Sequence, residues 1–225
     1  MSSLPHLPFA RPQIDEATIE DVAAVLRSGW ITSGPKVAAF EAALSQLALG
    51  RPVRVMSSAT AALEIALRIA GIGPGDEVIT AAMTFFAAPN MIVKVGATPV
   101  FVDVEPTTRN LDLAAAEARI GPRTKAIMPT HFAGLPCDMD ALYALAARHN
   151  LRVIEDAALA IGSSWRGRPI GSFGDLVVWS FHPNKNVTSI EGGGLVVNDA
   201  REAAQAEMLR FHGITRLPDG TRDDV

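Results

Sequence analysis

From residue 53 onward the chain alternates short, unbroken apolar runs with stretches of helical periodicity, and this alternation constrains its fold more than any other feature. The runs at 53–56, 77–80, 99–102, 126–129, 152–155, 176–179 and 194–197 read as strands. The segments 60–70, 85–95, 112–120, 138–149 and 199–211 read as helices. Strands that are apolar on both faces and separated by helices belong in a parallel sheet covered on both sides. The expected fold class is therefore α/β, a mostly parallel seven-stranded sheet flanked by helices. Gly71-Ile-Gly-Pro-Gly75 and Gly121-Pro122 punctuate it as helix stops and turns.

Two amphipathic helices are expected before this alternation. Asp15 can cap the first, which carries Ile19, Val22, Val25 and Leu26 on one face. The second, over 36–49, places Val37, Phe40, Ala43, Leu44 and Leu47 at helical spacing. Between them, Ser28-Gly-Trp-Ile-Thr-Ser-Gly-Pro35 is a turn-rich loop that should expose Trp30. The polar, turn-prone segment 214–225 reads either as a fraying tail or as the mark of a truncation. This divides the chain into N-terminal helices and loop (1–50), a large domain (51–213) and a tail (214–225).

Composition narrows the function classes. With 48% hydrophobic and 20% charged residues, 225 residues suffice for a sizeable core. A net charge of −4 offers no basic field for nucleic acid or an acidic membrane. The single cysteine, Cys137, rules out an internal disulfide and fits a reducing cytoplasm. Neither a leader-like N-terminus nor a bilayer-spanning apolar run is legible, so the expectation is a cytoplasmic protein with no membrane partner. His131, His182 and His212 lack ligand-like spacing, and no metal site is expected. Neither a G-x-G-x-x-G turn nor a Walker loop is present, which speaks against nicotinamide or nucleoside triphosphate chemistry.

Four groups could carry chemistry. Asp156 follows the apolar run 151–154 and should sit at the carboxyl end of a parallel strand, where ligands bind in such sheets. A turn or cap role suits an aspartate there equally well. Lys185 lies between an apolar strand and Glu191-Gly-Gly-Gly194, whose glycines let backbone approach closely. A solvated surface position is the ordinary fate of a lysine. Ser57-Ser-Ala-Thr60 joins a strand to a helix start, so free N–H groups and the positive end of the helix dipole favour an anion such as phosphate. An unliganded Ser cap is the alternative. Thr84-Phe85-Phe86 offers a ring that could stack on a flat heterocycle or simply pack in the core. A lysine and a strand-end aspartate together suit pyridoxal 5′-phosphate, which needs an amine for its carbonyl and a carboxylate for its ring nitrogen.

Taken in order, several motifs resemble the DegT/StrS family of nucleotide-sugar aminotransferases, within the fold type I pyridoxal phosphate enzymes. They are Ser28-Gly-Trp-Ile-Thr-Ser-Gly-Pro35, Ser57-Ser-Ala-Thr60, Gly71-Ile-Gly-Pro-Gly-Asp-Glu-Val-Ile79 and Gly96-Ala-Thr-Pro-Val-Phe-Val-Asp103. Pro122-Arg-Thr-Lys-Ala-Ile127, Glu155-Asp-Ala-Ala158, Gly171-Ser-Phe-Gly-Asp175 and Ser180-Phe-His-Pro-Asn-Lys-Asn186 continue the series. The Ser-Ala-Thr and Ser-Phe-His runs resemble the subgroup that forms 4-amino-4-deoxy-arabinose on UDP.

The resemblance implies that Lys185 forms a Schiff base with the cofactor and shuttles the proton. It implies that Asp156 pairs with the ring nitrogen, Phe85 stacks on the ring, and Ala59, Thr60 and Ser180 hold the phosphate. Trp30, Thr32 and His182 are the expected substrate contacts. The expected partners are a nucleotide-linked keto sugar, glutamate as amino donor, and a second copy of the chain. Two departures stand out. Leu159 occupies a position where the family usually has Gln or His, and family members continue into a small C-terminal domain, so the expectation is a truncated form without it. Two alternatives follow: an inactive large-domain fragment, or a related sugar dehydratase, in which a histidine replaces the lysine retained here.

Overall fold

The computed structural model describes residues 7, 8, 10–216 and 222–224. Helices α1 (Glu16–Ser28) and α2 (Pro35–Leu47) precede strand β1 (Val53–Met56). There follow α3 (Ala59–Ile69), β2 (Glu77–Ala81), α4 (Ala87–Lys94), β3 (Thr98–Val102), α5 (Leu113–Glu117) and β4 (Thr124–Met128). Next come α6 (Met139–His149), β5 (Arg152–Asp156), β6 (Ser164–Trp165), β7 (Arg168–Pro169) and β8 (Leu176–Ser180). The described chain closes with β9 (Gly193–Val196), α7 (Ala200–Arg210), β10 (Ile214–Arg216) and β11 (Arg222–Asp224).

Seven strands form one sheet in the order β1-β9-β8-β5-β4-β2-β3. β2 pairs in parallel with β3 and β4, β4 with β5, and β5 with β8. β9 alone runs against its neighbours, opposite Val53–Met56 on one side and Val177–Ser180 on the other. Successive strand residues feed two cores, as the period of two requires. Ile79, Ile127, Val153, Val177 and Val196 pack on one face with Leu142 and Leu145 of α6. Val78, Met128, Ile154, Val178 and Leu195 pack on the other with Leu63, Leu67 and Ile92 of α3 and α4. This double burial is why the strand sequences look apolar throughout.

Side-chain caps set most helix starts. Asp15, Ser58, Asp112, Asp138 and Asp199 each accept a hydrogen bond from an amide of the first turn. Phe86 offers no such acceptor, and α4 begins at Ala87 rather than at 85, which leaves Thr84–Phe86 as loop. The apolar stripe expected on α1 exists, but no residue of that helix is buried, and Leu26 is 65% exposed. The β6–β7 ribbon had no strand signal in the sequence. Its turn puts Arg166 and Gly167 both at positive φ, the type I′ geometry that suits a two-residue hairpin loop. Within the segment read as a polar tail, Ile214–Arg216 pairs antiparallel with Arg222–Asp224, and 217–221 and 225 lie outside the described residues.

Candidate active site

A cleft of about 980 Å3 opens where β5 and β8 end and α3 begins. Ala59, Thr60, Phe85, Asp156, Ser180, His182 and Lys185 all line it. Seven of the nine residues singled out in the sequence thus meet in one place. The other two lie elsewhere. Trp30 is 57% exposed and donates its indole N–H to Ser33 O at 3.1 Å, folding over Gly34. Thr32 lines a separate cleft bounded by α2, β1 and α7.

One end of the site is the open N-terminus of α3, whose first amides are available to an anion. Ser58 Oγ accepts from Ala61 N–H at 3.1 Å, while the earlier amides of the first turn have no helical acceptor. β9 presses Gly193 against this turn so closely that a side chain there would collide with Ser58 C and Ala59 N. Thr60 and Ser180 stand beside the same turn along the cleft wall, and Ser180 is 4% exposed.

At the other end is Asp156, buried at the tip of β5. Its backbone is fixed by Asp156 N–H to Pro129 O (2.9 Å) and His131 N–H to Asp156 O (3.0 Å). Its carboxylate, by contrast, accepts a single long bond among the described residues, from Ala158 N–H at 3.2 Å. Burial raises the Asp156 pKa above the ordinary carboxylate value, and the Ala158 amide and the Lys185 charge pull it back. A buried carboxylate with spare acceptor capacity calls for a cationic N–H donor. Lys185 reaches the same cleft from the turn after β8, its own amide bonded to His182 O at 2.9 Å.

Behind Asp156 lies a polar network that sequence reasoning missed. Tyr143 OH donates to Glu155 Oε1 at 2.6 Å, and His131 Nε2 meets Glu155 Oε2 at 3.0 Å. The Cys137 N–H points at His131 Nδ1 at 3.1 Å. Burial opposes charge on His131, although Cys137 and Glu155 together favour proton uptake. An amide can only donate, however, so an imidazolium would set two donors against each other; the neutral Nε2–H tautomer satisfies both contacts. The alternation of strand faces is the one sequence signal for this network. It turns Glu155 away from the Asp156 side and into the core, where a carboxylate must have partners.

Further along the wall, Asn110 Nδ2 donates to Leu135 O and Pro136 O, and Asn110 Oδ1 accepts from Phe132 N–H. These bonds hold the turn that lines the cleft with Phe132 and Ala133. Leu159 lines the cleft too, with an apolar surface where the motif suggested a hydrogen-bonding residue.

Comparison with known proteins matches residues 12–223 to the model of the DegT/DnrJ/EryC1/StrS aminotransferase family. The UDP-4-amino-4-deoxy-L-arabinose–oxoglutarate aminotransferase of Shewanella sediminis (strain HAW-EB3) is 48% identical over 208 residues, which is 92% of this chain and 53% of that protein. The spore coat polysaccharide biosynthesis protein SpsC of Bacillus subtilis (strain 168) is 44% identical over 210 residues, covering 93% and 54% respectively. Among solved structures, the apo form of the putative sugar aminotransferase Spr1654 from Streptococcus pneumoniae superposes with a TM-score of 0.90 at 37% identity, over 96% of this chain and 60% of that one. The same protein is known in PMP and PLP forms, with TM-scores of 0.90 and 0.88. The chain spans about half the length of the curated relatives it matches. By family model, sequence identity and superposition alike, the chain belongs to the DegT/DnrJ/EryC1/StrS aminotransferase family.

Proposed function

We propose that this chain is the cofactor-holding part of a sugar aminotransferase that uses pyridoxal 5′-phosphate to move an amino group from glutamate to a nucleotide-linked keto sugar. The observation that carries the reading is the under-bonded, buried Asp156 carboxylate facing Lys185 across a cleft that ends in an open helix N-terminus. These residues fit the cofactor at both ends, with a carboxylate for its ring N–H and a cradle of amides and hydroxyls for its phosphate. When bound, the cofactor supplies an electron-withdrawing ring and a carbonyl that condenses with amines.

The chain's own groups then divide the work. The Ala59 and Thr60 amides, with the Thr60 and Ser180 hydroxyls, bind phosphate, and the packing of Gly193 keeps that turn in place. Asp156 holds a proton on the ring nitrogen by accepting its N–H. Phe85 covers one face of the ring and excludes water from it. Lys185 Nζ would hold the cofactor through its carbonyl and, when free, would take up and return a substrate's carbon-bound proton. Trp30, Thr32 and His182 would contact substrate in a homodimer, in a cytoplasmic setting. Residues 51–213 form the cofactor-binding unit in this reading.

The test is a visible absorption spectrum of the protein with added pyridoxal phosphate, before and after borohydride reduction. A band fixed by reduction, with the label mapped to Lys185 and absent in Lys185→Ala, supports the reading. A folded protein that stays colourless would refute it. Because the chain spans about half of its relatives, a second reading applies to turnover alone: cofactor binding without transamination. Adding glutamate separates the two, since bleaching of the band requires the first half-reaction.

A further inference from the structure

Phe85 sits on a loop with little backbone support. After Ala82 N–H bonds Val102 O at 2.8 Å, regular pairing resumes only with Ala88 N–H to Phe85 O and Asn90 N–H to Phe86 O, both 3.1 Å, at the start of α4. The Phe85 ring is 60% exposed and leans on Phe86, itself 65% exposed, with ring centroids 4.1 Å apart. Neither ring is anchored in the core. Between Ala82 and Phe86, one side-chain hydrogen bond is present among the described residues. It joins Thr84 Oγ1 to Thr130 Oγ1 at 2.7 Å, and both threonines line the cleft.

The far side of that bond is rigid. Thr130 bridges Asp156 in parallel register, and the flanking residues are tied to the same strand through Asp156 N–H to Pro129 O and His131 N–H to Asp156 O. His131 is itself pinned between Glu155 and the Cys137 amide. A firmly held strand end thus reaches across the mouth of the cleft to a weakly held loop through two hydroxyls.

We propose that Thr84 and Thr130 are positioning residues, a hydroxyl clamp that sets Phe85 over the ring site relative to Asp156. The inference rests on the reading of Phe85 and Asp156 as cofactor contacts. The clamp acts through Phe85 and not by touching the cofactor. Without it the loop samples other placements, and the binding-competent fraction falls. A net hydrogen bond of ordinary strength corresponds to a roughly two- to tenfold change in an equilibrium constant.

The experiment is a titration of cofactor-free protein with pyridoxal phosphate, read as the Kd from the visible band. The variants are Thr84→Val, Thr130→Val, the double variant, Phe85→Ala, and Thr84→Val combined with Phe85→Ala. Each valine change should raise Kd roughly two- to tenfold, and the double variant no more than the larger single, because one bond is lost in all three. Thr84→Ser, which keeps the hydroxyl, should bind like the parent. In the Phe85→Ala background, Thr84→Val should add nothing.

An unchanged Kd in Thr84→Val overturns the clamp, as does an effect that adds fully to that of Phe85→Ala. The latter would mean that the hydroxyl matters to the fold or to the cofactor directly. An unchanged Kd in Phe85→Ala instead removes the stacking role, and the clamp with it, while a parent protein with no band removes the cofactor reading as a whole. If Thr84→Val does not fold, Thr84→Ala takes its place in the cycle.

Discussion

Gly193→Ala tests how the sheet and the anion cradle depend on each other. Gly193 is the first residue of β9, with Ser180 opposite it on β8 and Met56 on β1. A methyl group there would run into Ser58 C, Ser58 O and Ala59 N, all of them backbone atoms that cannot rotate aside. Restoring ordinary contact requires Ser58–Ala59 to retreat by about 1 Å, which moves the first amides of α3 out of register with Ser180 on the cleft wall. Overpacking of this kind destabilises by about 1–3 kcal/mol.

The neighbouring residue is the control. At Gly194 the added methyl meets Phe181 and Leu44 at 3.4–3.6 Å, which is van der Waals contact that needs at most a slight adjustment. In an extended strand, loss of a glycine restricts the unfolded chain and stabilises by about 0.4–1 kcal/mol. Thermal unfolding combined with a pyridoxal phosphate titration should therefore separate the pair. Gly193→Ala should lower Tm and bind cofactor at least tenfold more weakly, and Gly194→Ala should leave cofactor affinity near the parent value and Tm at or slightly above it. Equal cofactor affinity in Gly193→Ala and the parent would show that the cradle does not depend on this contact.

The unusual state of two other residues leads to further expectations. Because burial raises the Asp156 pKa in the folded chain, its contribution to stability is complete below the ordinary carboxylate value of about 4 and is lost as the pH rises through the raised folded value. Asp156→Asn, which cannot ionise, should unfold at a higher temperature than the cofactor-free parent at pH 7, with a smaller gain at pH 3, while losing cofactor binding. A pH-independent difference in Tm would contradict this account. Ile190, a β-branched residue at φ 71° and 60% exposed, holds a left-handed conformation that costs about 1–2 kcal/mol. Ile190→Gly should therefore raise the urea midpoint modestly, and a lower midpoint would mean that the side chain packs against something that outweighs the strain.

The inner strands β2, β4, β5, β8 and β9 were legible because each is buried on two faces, which leaves an apolar run of the right length. Their direction was not. Nothing in Gly193–Val196 distinguishes a strand running against its neighbours from one running with them, since the side-chain period is the same. Asp156 could be picked out because a charge at the end of an apolar strand is conspicuous, and Lys185 because it lies between such a strand and a glycine run. Thr130 and His131 could not, because their roles arise from contacts with Thr84 and Glu155, each more than twenty residues away. Trp30 is a different case. A tryptophan in a glycine-rich loop drew attention, yet within this chain it folds onto its own loop, on Ser33 and Gly34, and away from the cleft. For α1, helical periodicity located the apolar stripe but carried no information about what covers it.

The reversed strand β9 has a consequence for how the chain can be made. β1 is the first sheet strand to leave the ribosome, yet its only partner among the described residues is β9, the last strand of the sheet, with Val53 opposite Val196. A nascent chain therefore carries an unpaired edge next to the Ser58–Thr60 turn until almost all of the described sequence has been synthesised. Closing so long a loop slows folding, and an edge left waiting invites pairing with other chains. Ser58–Thr60 acquire their neighbour Gly193 only in that final step. The ability to bind cofactor should thus arrive late and all at once, with no partially folded precursor that already holds it.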